Sequence, residues 1–229
     1  MVPALLYLFL RKYVARKWPH FGCKMKQTFC QRNFVLFLAF LSLFLLKISS
    51  LKAQEELKYM VVKNGKVIGW TKLTRTNVDQ RVHIKLESEV KATFLFQFVV
   101  KAVEEAIFSN GNLVYSSQFR KMNADVKENK SMKLTSRGYE VYKGNITQLL
   151  SFAGLRNNML SLYFAEPLLE PKVYSDSFQQ LLDVKKIAER AYKVRLPDGN
   201  SCSYYYKNGL CTNIKIDNRF YSAELMLNQ

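Results

Sequence analysis

From Val82 to Val100 the chain is apolar at nearly every second position: Val82, Ile84, Leu86, Val90, Ala92, Phe94, Phe96, Phe98 and Val100, with Ser88 the one break. The intervening His83, Lys85, Glu87, Glu89, Lys91 and Thr93 are polar. Period two belongs to a half-buried strand, because successive strand side chains point to opposite faces; an amphipathic helix repeats every 3.6 residues. The run is far longer than the usual strand of roughly 3–10 residues. It must therefore bend, or turn back near residues 93–96.

The same alternation brackets several turns. In "LKYMVVKNGKVIGWTKL" the Asn64-Gly65 pair suits a two-residue hairpin turn, since both central positions need positive φ. A plain two-residue turn sets Tyr59 opposite Trp70 and Val61 opposite Ile68, so that Leu57, Tyr59, Val61, Ile68 and Trp70 share one face. Further turns fall at Asn110-Gly111, within the charged "KMNADVKENKSMK", around Gly138, at Pro197-Asp198-Gly199 and at Asn208-Gly209. The chain ends on "FYSAELML", with Tyr221, Ala223, Leu225 and Leu227 in phase. Only Leu149–Phe164 and Ser177–Ile187 have a pattern that accommodates short helices. The expected fold is all-β: an antiparallel meander forming a curved sheet or open half-barrel, with one or two short helices.

The N-terminal region has a different pattern. Met25 opens a segment with Lys26 and Arg32, an apolar run from Phe34 to Leu46, and then Ser49, Ser50 and Ala53. A cationic head, a short apolar middle and a small residue at the end make the layout of a secretory signal helix. The run is shorter than the roughly 17–25 residues of a permanent membrane helix. The expected organisation is an over-called upstream segment at 1–24, a signal peptide at 25–53, and one β-rich domain at 54–229. Retention of residues 25–53 as an anchor is the alternative. Removing residues 1–53 leaves 26 basic and 18 acidic residues, so the charge falls from +17 to +8. A surplus of that size favours anionic partners such as a phospholipid surface. Nucleic acid is excluded as a partner, because no DNA- or RNA-binding motif occurs and the chain reads as exported.

Of the four cysteines, Cys23 and Cys30 fall in the N-terminal segment, and Cys30 precedes the apolar run, so it is not a lipidation site. Cys202 and Cys211 flank the Asn208-Gly209 turn, which pairs Lys207 with Leu210 and Tyr206 with Cys211. Cys202 then lies about 13 Å from Cys211 along the strand at ~3.3 Å per residue, beyond disulfide reach. Two free thiols are expected.

"SNGNLVYSS", "LYFAEP", "YKVRLPDG" and "YYYKNG", in this order, resemble a family of exported bacterial proteins known only as a domain of unknown function. The resemblance covers about Leu57 to Leu227. It implies an extracytoplasmic β-rich domain of Gram-negative bacteria, similar in look to half-barrels that carry lipid-like molecules in the envelope. It brings no activity with it.

The chemistry along the chain is sparse. His83 is the one histidine after residue 53 and sits on a polar phase. One histidine and two cysteines are too few for a zinc site of the His/Cys kind. Glu104 and Glu105 are adjacent and point to opposite faces of a strand. In "LYFAEP", Pro167 holds Glu166 extended, which suits either a strand-capping turn or a pocket-rim acid beside Tyr163. The reading is a non-catalytic, extracytoplasmic domain in the periplasm or envelope, not lipidated, that binds or carries an apolar or lipid-like molecule. Its candidate ligand residues are Tyr59, Trp70, Phe94, Phe96, Tyr163 and Glu166, without cofactor or metal. A hydrolase using carboxylates or tyrosines, and a structural envelope protein, stand as alternatives.

Overall fold

The computed structural model describes residues 53–228 apart from 94–96, 170 and 220. The segments expected at 1–24 and 25–53, Ala53 excepted, and the candidates Phe94 and Phe96 lie outside the described residues.

Eight strands run in succession: β1 (Ala53–Lys63), β2 (Lys66–Val78), β3 (Arg81–Thr93), β4 (Gln97–Ser109), β5 (Asn112–Met122), β6 (Asp125–Thr135), β7 (Gly138–Lys143) and β8 (Ile146–Leu150). A connection holding a single 3₁₀ turn, Ser161–Tyr163, follows. Six more strands complete the domain: β9 (Lys172–Ser175), β10 (Gln180–Ala188), β11 (Ala191–Arg195), β12 (Ser201–Lys207), β13 (Leu210–Asp217) and β14 (Ser222–Leu227). All fourteen belong to one sheet in the order β8-β7-β6-β5-β4-β3-β2-β1-β14-β13-β12-β11-β10-β9. Every two consecutive strands except β8 and β9 pair antiparallel, and β1 pairs with β14. β8 and β9 are left as the two edges. The expected antiparallel meander is therefore the fold.

The Asn-Gly turns form because both residues reach positive φ without strain: Asn64 and Gly65, Asn110 and Gly111, and Asn208 and Gly209 all do so. The long alternation divides into β3 and β4, reversing at the expected place. Tyr206 faces Cys211 and Cys202 faces Ile216, so both thiols are free. Burial pushes Cys202 up to about 11 and Cys211 up to about 12, which keeps both protonated and unreactive.

Two expectations are corrected. Of the residues that suggested a helix at 177–187, 177–179 lie in the turn after β9 and the rest form β10. Its first half pairs with β9 and its second half with β11, and these two ladders outweigh local helix propensity. In 149–164 the only helical piece is the 3₁₀ turn.

The register of the first hairpin also differs. Val62 faces Val67, but a bulge follows, so that Val61 faces Gly69, Tyr59 faces Thr71, and Trp70 faces Met60. The extra residue is accommodated at Gly69, where a Cβ would stand 2.2 Å from the Glu89 carbonyl oxygen and 2.7 Å from Val90 Cα. Only glycine allows the neighbouring strand that close. A one-residue slip exchanges the two faces of a strand. Trp70 is consequently on the outer face, 47% exposed, while Tyr59 is buried inside.

The inner face carries Leu57, Tyr59, Leu73, Ile84, Leu86, Ala106, Leu113 and Tyr139, all buried. The connection after β8 folds into this concavity and fills it with Leu155, Leu160, Leu162 and Phe164. Its backbone is tied to the strands around it. Leu113 N–H donates to the Leu155 carbonyl at 2.7 Å, the Tyr206 hydroxyl to the Leu162 carbonyl at 2.8 Å, and Glu166 N–H to the Gly209 carbonyl at 3.1 Å. Leu155 N–H in turn donates to the Tyr139 hydroxyl oxygen at 3.0 Å. Edge-to-face rings lock the plug laterally: Tyr163 lies 5.5 Å from Tyr59, and Phe152 lies 5.7 Å from Tyr174. The apolar face that a curved sheet must cover is covered by the chain itself.

Candidate functional site

Away from the plug, towards the end of the sheet holding the Gly144-Asn145 turn, the inner face changes character. Register sets Glu104 opposite Gln118, Gln118 opposite Lys130, and Arg120 opposite Glu128. Polar side chains thus stand on β4, β5 and β6 where alternation would place apolar ones. Lys130 is the most enclosed of the charged ones, its side chain only 7% exposed. A buried ammonium is tolerated only with partners, and they are present. Its Nζ donates to the Ser177 carbonyl at 3.1 Å and lies 3.4 Å from Glu128 Oε1. Lys143 adds a second cation 3.9 Å from the same oxygen, and Arg120 pairs with Glu104 at 3.5 Å.

The turn between β9 and β10 completes the cluster from the far side. The Asp176 carboxylate accepts a short hydrogen bond from the Ser116 hydroxyl and a second, at 3.1 Å, from Asn158 Nδ2. The Ser177 hydroxyl donates to Gln118 Oε1 at 3.2 Å. Burial raises the Asp176 carboxyl to about 6. The Glu104 charge pushes the same way, and the Ser116 and Asn158 hydrogen bonds with the Lys130 charge pull against them.

Between this turn and β8 lies a cleft of about 330 Å³. Glu128, Lys130 and Lys143 supply its charge, and Val141, Ile146 and Phe178 its apolar wall. It sits where the sheet stays open. The β9 edge is bridged by Asn158, which pairs with Tyr174 in parallel, whereas no described strand covers β8. Ile146, on that edge strand, is 70% exposed.

The residues singled out from the sequence do not converge here. Tyr59 is core, its hydroxyl donating to the Cys211 carbonyl at 2.7 Å. Tyr163 is wedged between Tyr59 and Tyr204, and burial pushes its hydroxyl far up. Glu166 accepts from the Tyr192 hydroxyl at 2.9 Å and closes the plug; the tyrosine beside it is Tyr192 rather than Tyr163. Trp70 is on the opposite face of the sheet. His83 is a surface residue 3.9 Å from Glu105. Lys130, Asp176, Ser116 and Asn158 were not foreseen. Their one legible trace is that Lys130 stands in the same phase of β6 as the buried Met132, two residues on.

Asp176 gives a pH prediction. A carboxyl raised in the folded state holds its proton where the unfolded chain has already lost it. The associated stability is fully present below the ordinary carboxylate value, falls as pH rises, and is gone above about 6. At one pKa unit per ~1.4 kcal/mol the loss is about 3 kcal/mol. Asp176→Asn should therefore be more stable than wild type at pH 7.5 by up to about that amount, and the gap should close near pH 3.5. Urea midpoints at the two pH values check this; an Asn variant less stable at both would refute the burial argument.

These features define an all-antiparallel, barrel-like domain whose single sheet does not close, plugged by its own chain and polar at its open seam. The chain belongs to the family described as domain of unknown function DUF6134, whose model matches residues 59–228. Among solved structures it is similar to a beta-barrel-like protein of domain of unknown function DUF1849 from Brucella abortus. The two share 11% sequence identity with a TM-score of 0.49, over 78% of this chain and 97% of that one. No curated protein matches the chain.

Proposed function

We propose that the domain is a non-catalytic binding module of the cell envelope that holds a lipid-like molecule by its polar head in the seam cleft. The observation that carries this reading is the nearly buried Lys130 lining a cleft whose wall continues onto the exposed Ile146. Such a cleft offers a cation to an anionic head group and an apolar path to a chain leaving it. The concavity itself is filled by Leu155, Leu162 and Phe164, so a ligand sits at the seam rather than at the sheet's centre. Placement in the envelope is supported by the order of cationic, apolar and small residues in 25–53.

The test is mass spectrometry of small molecules that co-purify with the full chain from fractionated cells. Bulk lipid held by the apolar run at 34–46 should be common to all variants and cancels. Wild type should carry one further species, reduced about tenfold, or ~1.4 kcal/mol, in Lys130→Met and in Ile146→Asp. Equal lipid profiles in folded variants would overturn the binding reading, and recovery of the protein from cytosol alone would overturn the envelope reading.

A further inference from the structure

The bulge that turns Trp70 outward also aligns it with other large side chains on the outer face. Register sets Trp70 opposite Met60, Met60 opposite Met226, Met226 opposite Asn213, and Asn213 opposite Tyr205. Trp70, Met60, Met226 and Tyr205 therefore lie in one row that crosses β2, β1, β14, β13 and β12. With strands ~4.8 Å apart the row is about 20 Å long. These four side chains are 37–47% exposed. A solvent-facing sheet surface is normally polar at such positions; here Trp70, Met60 and Met226 adjoin one another on three strands, with Tyr205 beyond Asn213, and an exposed apolar stretch of this kind marks an interaction site.

The charge around the row indicates what it meets. Lys58 and Lys72 form the adjacent row on one side, joined to Glu56 at 3.0 and 2.9 Å. Lys91 and Lys101 stand at the Trp70 end, sharing Glu89. Lys215 lies across from Glu224 on the other side. In each of the first two groups two ammonium groups share one carboxylate, and Glu87, opposite Lys72, is itself paired with Lys85 at 2.8 Å, so lysines outnumber carboxylates around the row. Indole and phenol rings have an apolar body with a polar tip, and lysine stems lie along apolar surface with the charge outward. An apolar centre with that rim matches the interface of an anionic bilayer.

We propose that this outer face docks on an anionic phospholipid surface, with Trp70, Met60 and Met226 at head-group depth and the surrounding lysines on the phosphates. The proposal is independent of the seam cleft, which lies on the inner side of other strands.

Trp18→Phe in the full chain leaves Trp70 as the one indole. Sedimentation with vesicles does not isolate this face, because the apolar run at 34–46 would itself partition into any bilayer when retained. The readout is quenching of Trp70 emission by brominated acyl chains. Vesicles of equal parts phosphatidylglycerol and phosphatidylcholine should quench it about twofold or more at low salt, and high salt should reverse this. Pure phosphatidylcholine should have little effect. Lys58→Gln with Lys72→Gln, and separately Met60→Ser, should lose the quenching while melting like the parent. Equal quenching on neutral vesicles, or none on anionic vesicles that carry the chain down with them, would overturn the proposal. So would shielding of Trp70 from acrylamide before lipid is added, which would assign the face to a second copy of the chain.

Discussion

Leu162→Ala should lower stability by about 2–5 kcal/mol, the range for removing a buried leucine side chain that leaves a cavity. Leu162 is 2% exposed on the 3₁₀ turn that crosses the inner face, and its carbonyl is held by the Tyr206 hydroxyl. The backbone around it is bonded to Leu113 on β5, Tyr139 on β7 and Gly209 in the turn between β12 and β13. That framework prevents the site from collapsing onto the missing methyls, which places the loss in the upper part of the range. Leu168→Ala in the same connection is the control. Its side chain is 71% exposed, so it should change stability by no more than ~0.5 kcal/mol. Urea unfolding should show a lower midpoint for Leu162→Ala with an unchanged slope. Equal midpoints for the two variants would mean that the connection lies on the sheet without forming its core.

Gly69→Ala should be the second severe substitution, although it adds only a methyl group. That methyl would stand 2.2 Å from a carbonyl oxygen and 2.7 Å from a Cα of β3. Both are backbone atoms in a ladder running from Val78–Arg81 to Gly69–Val90, so neither moves without breaking inter-strand hydrogen bonds. Overpacking of this kind costs about 1–3 kcal/mol and at times more. Thermal unfolding measures it, with Gly65→Ala as the comparison. Gly65 has open space around it, so a change there reports only the positive φ of the turn. Should Gly69→Ala melt with wild type, the close approach of β2 and β3 would have to be wrong, and with it the outward position of Trp70.

The parts of the fold legible in the residues are those controlled within a few positions of the chain. Asn208-Gly209 makes a two-residue turn because of its own φ preferences, and the pairing of Tyr206 with Cys211 follows by counting. The reversal near 93–96 follows from strand length, and Val82, Ile84, Leu86 and Val90 of β3 point inward because side-chain direction alternates. The same logic places Glu104 and Glu105 on opposite faces.

The remainder depends on atoms that meet only after the sheet has curled. Whether the first hairpin carries a bulge is decided at Gly69 by the β3 backbone, and it reverses the side on which Trp70 stands. Residues 180–188 become a strand because β9 and β11 offer ladders on either side, which no local pattern in "QLLDVKKIA" reveals. The Asp176 carboxylate meets Ser116 across 60 residues of chain, and Lys130 is drawn inward to the Ser177 carbonyl from a stretch whose charge marks only a turn. Turn chemistry and alternation act through neighbouring residues, so they can be read along the chain. Burial, close backbone approach and polar pairing act through space, so only the assembled sheet determines which side chains line the plug, the seam and the outer face.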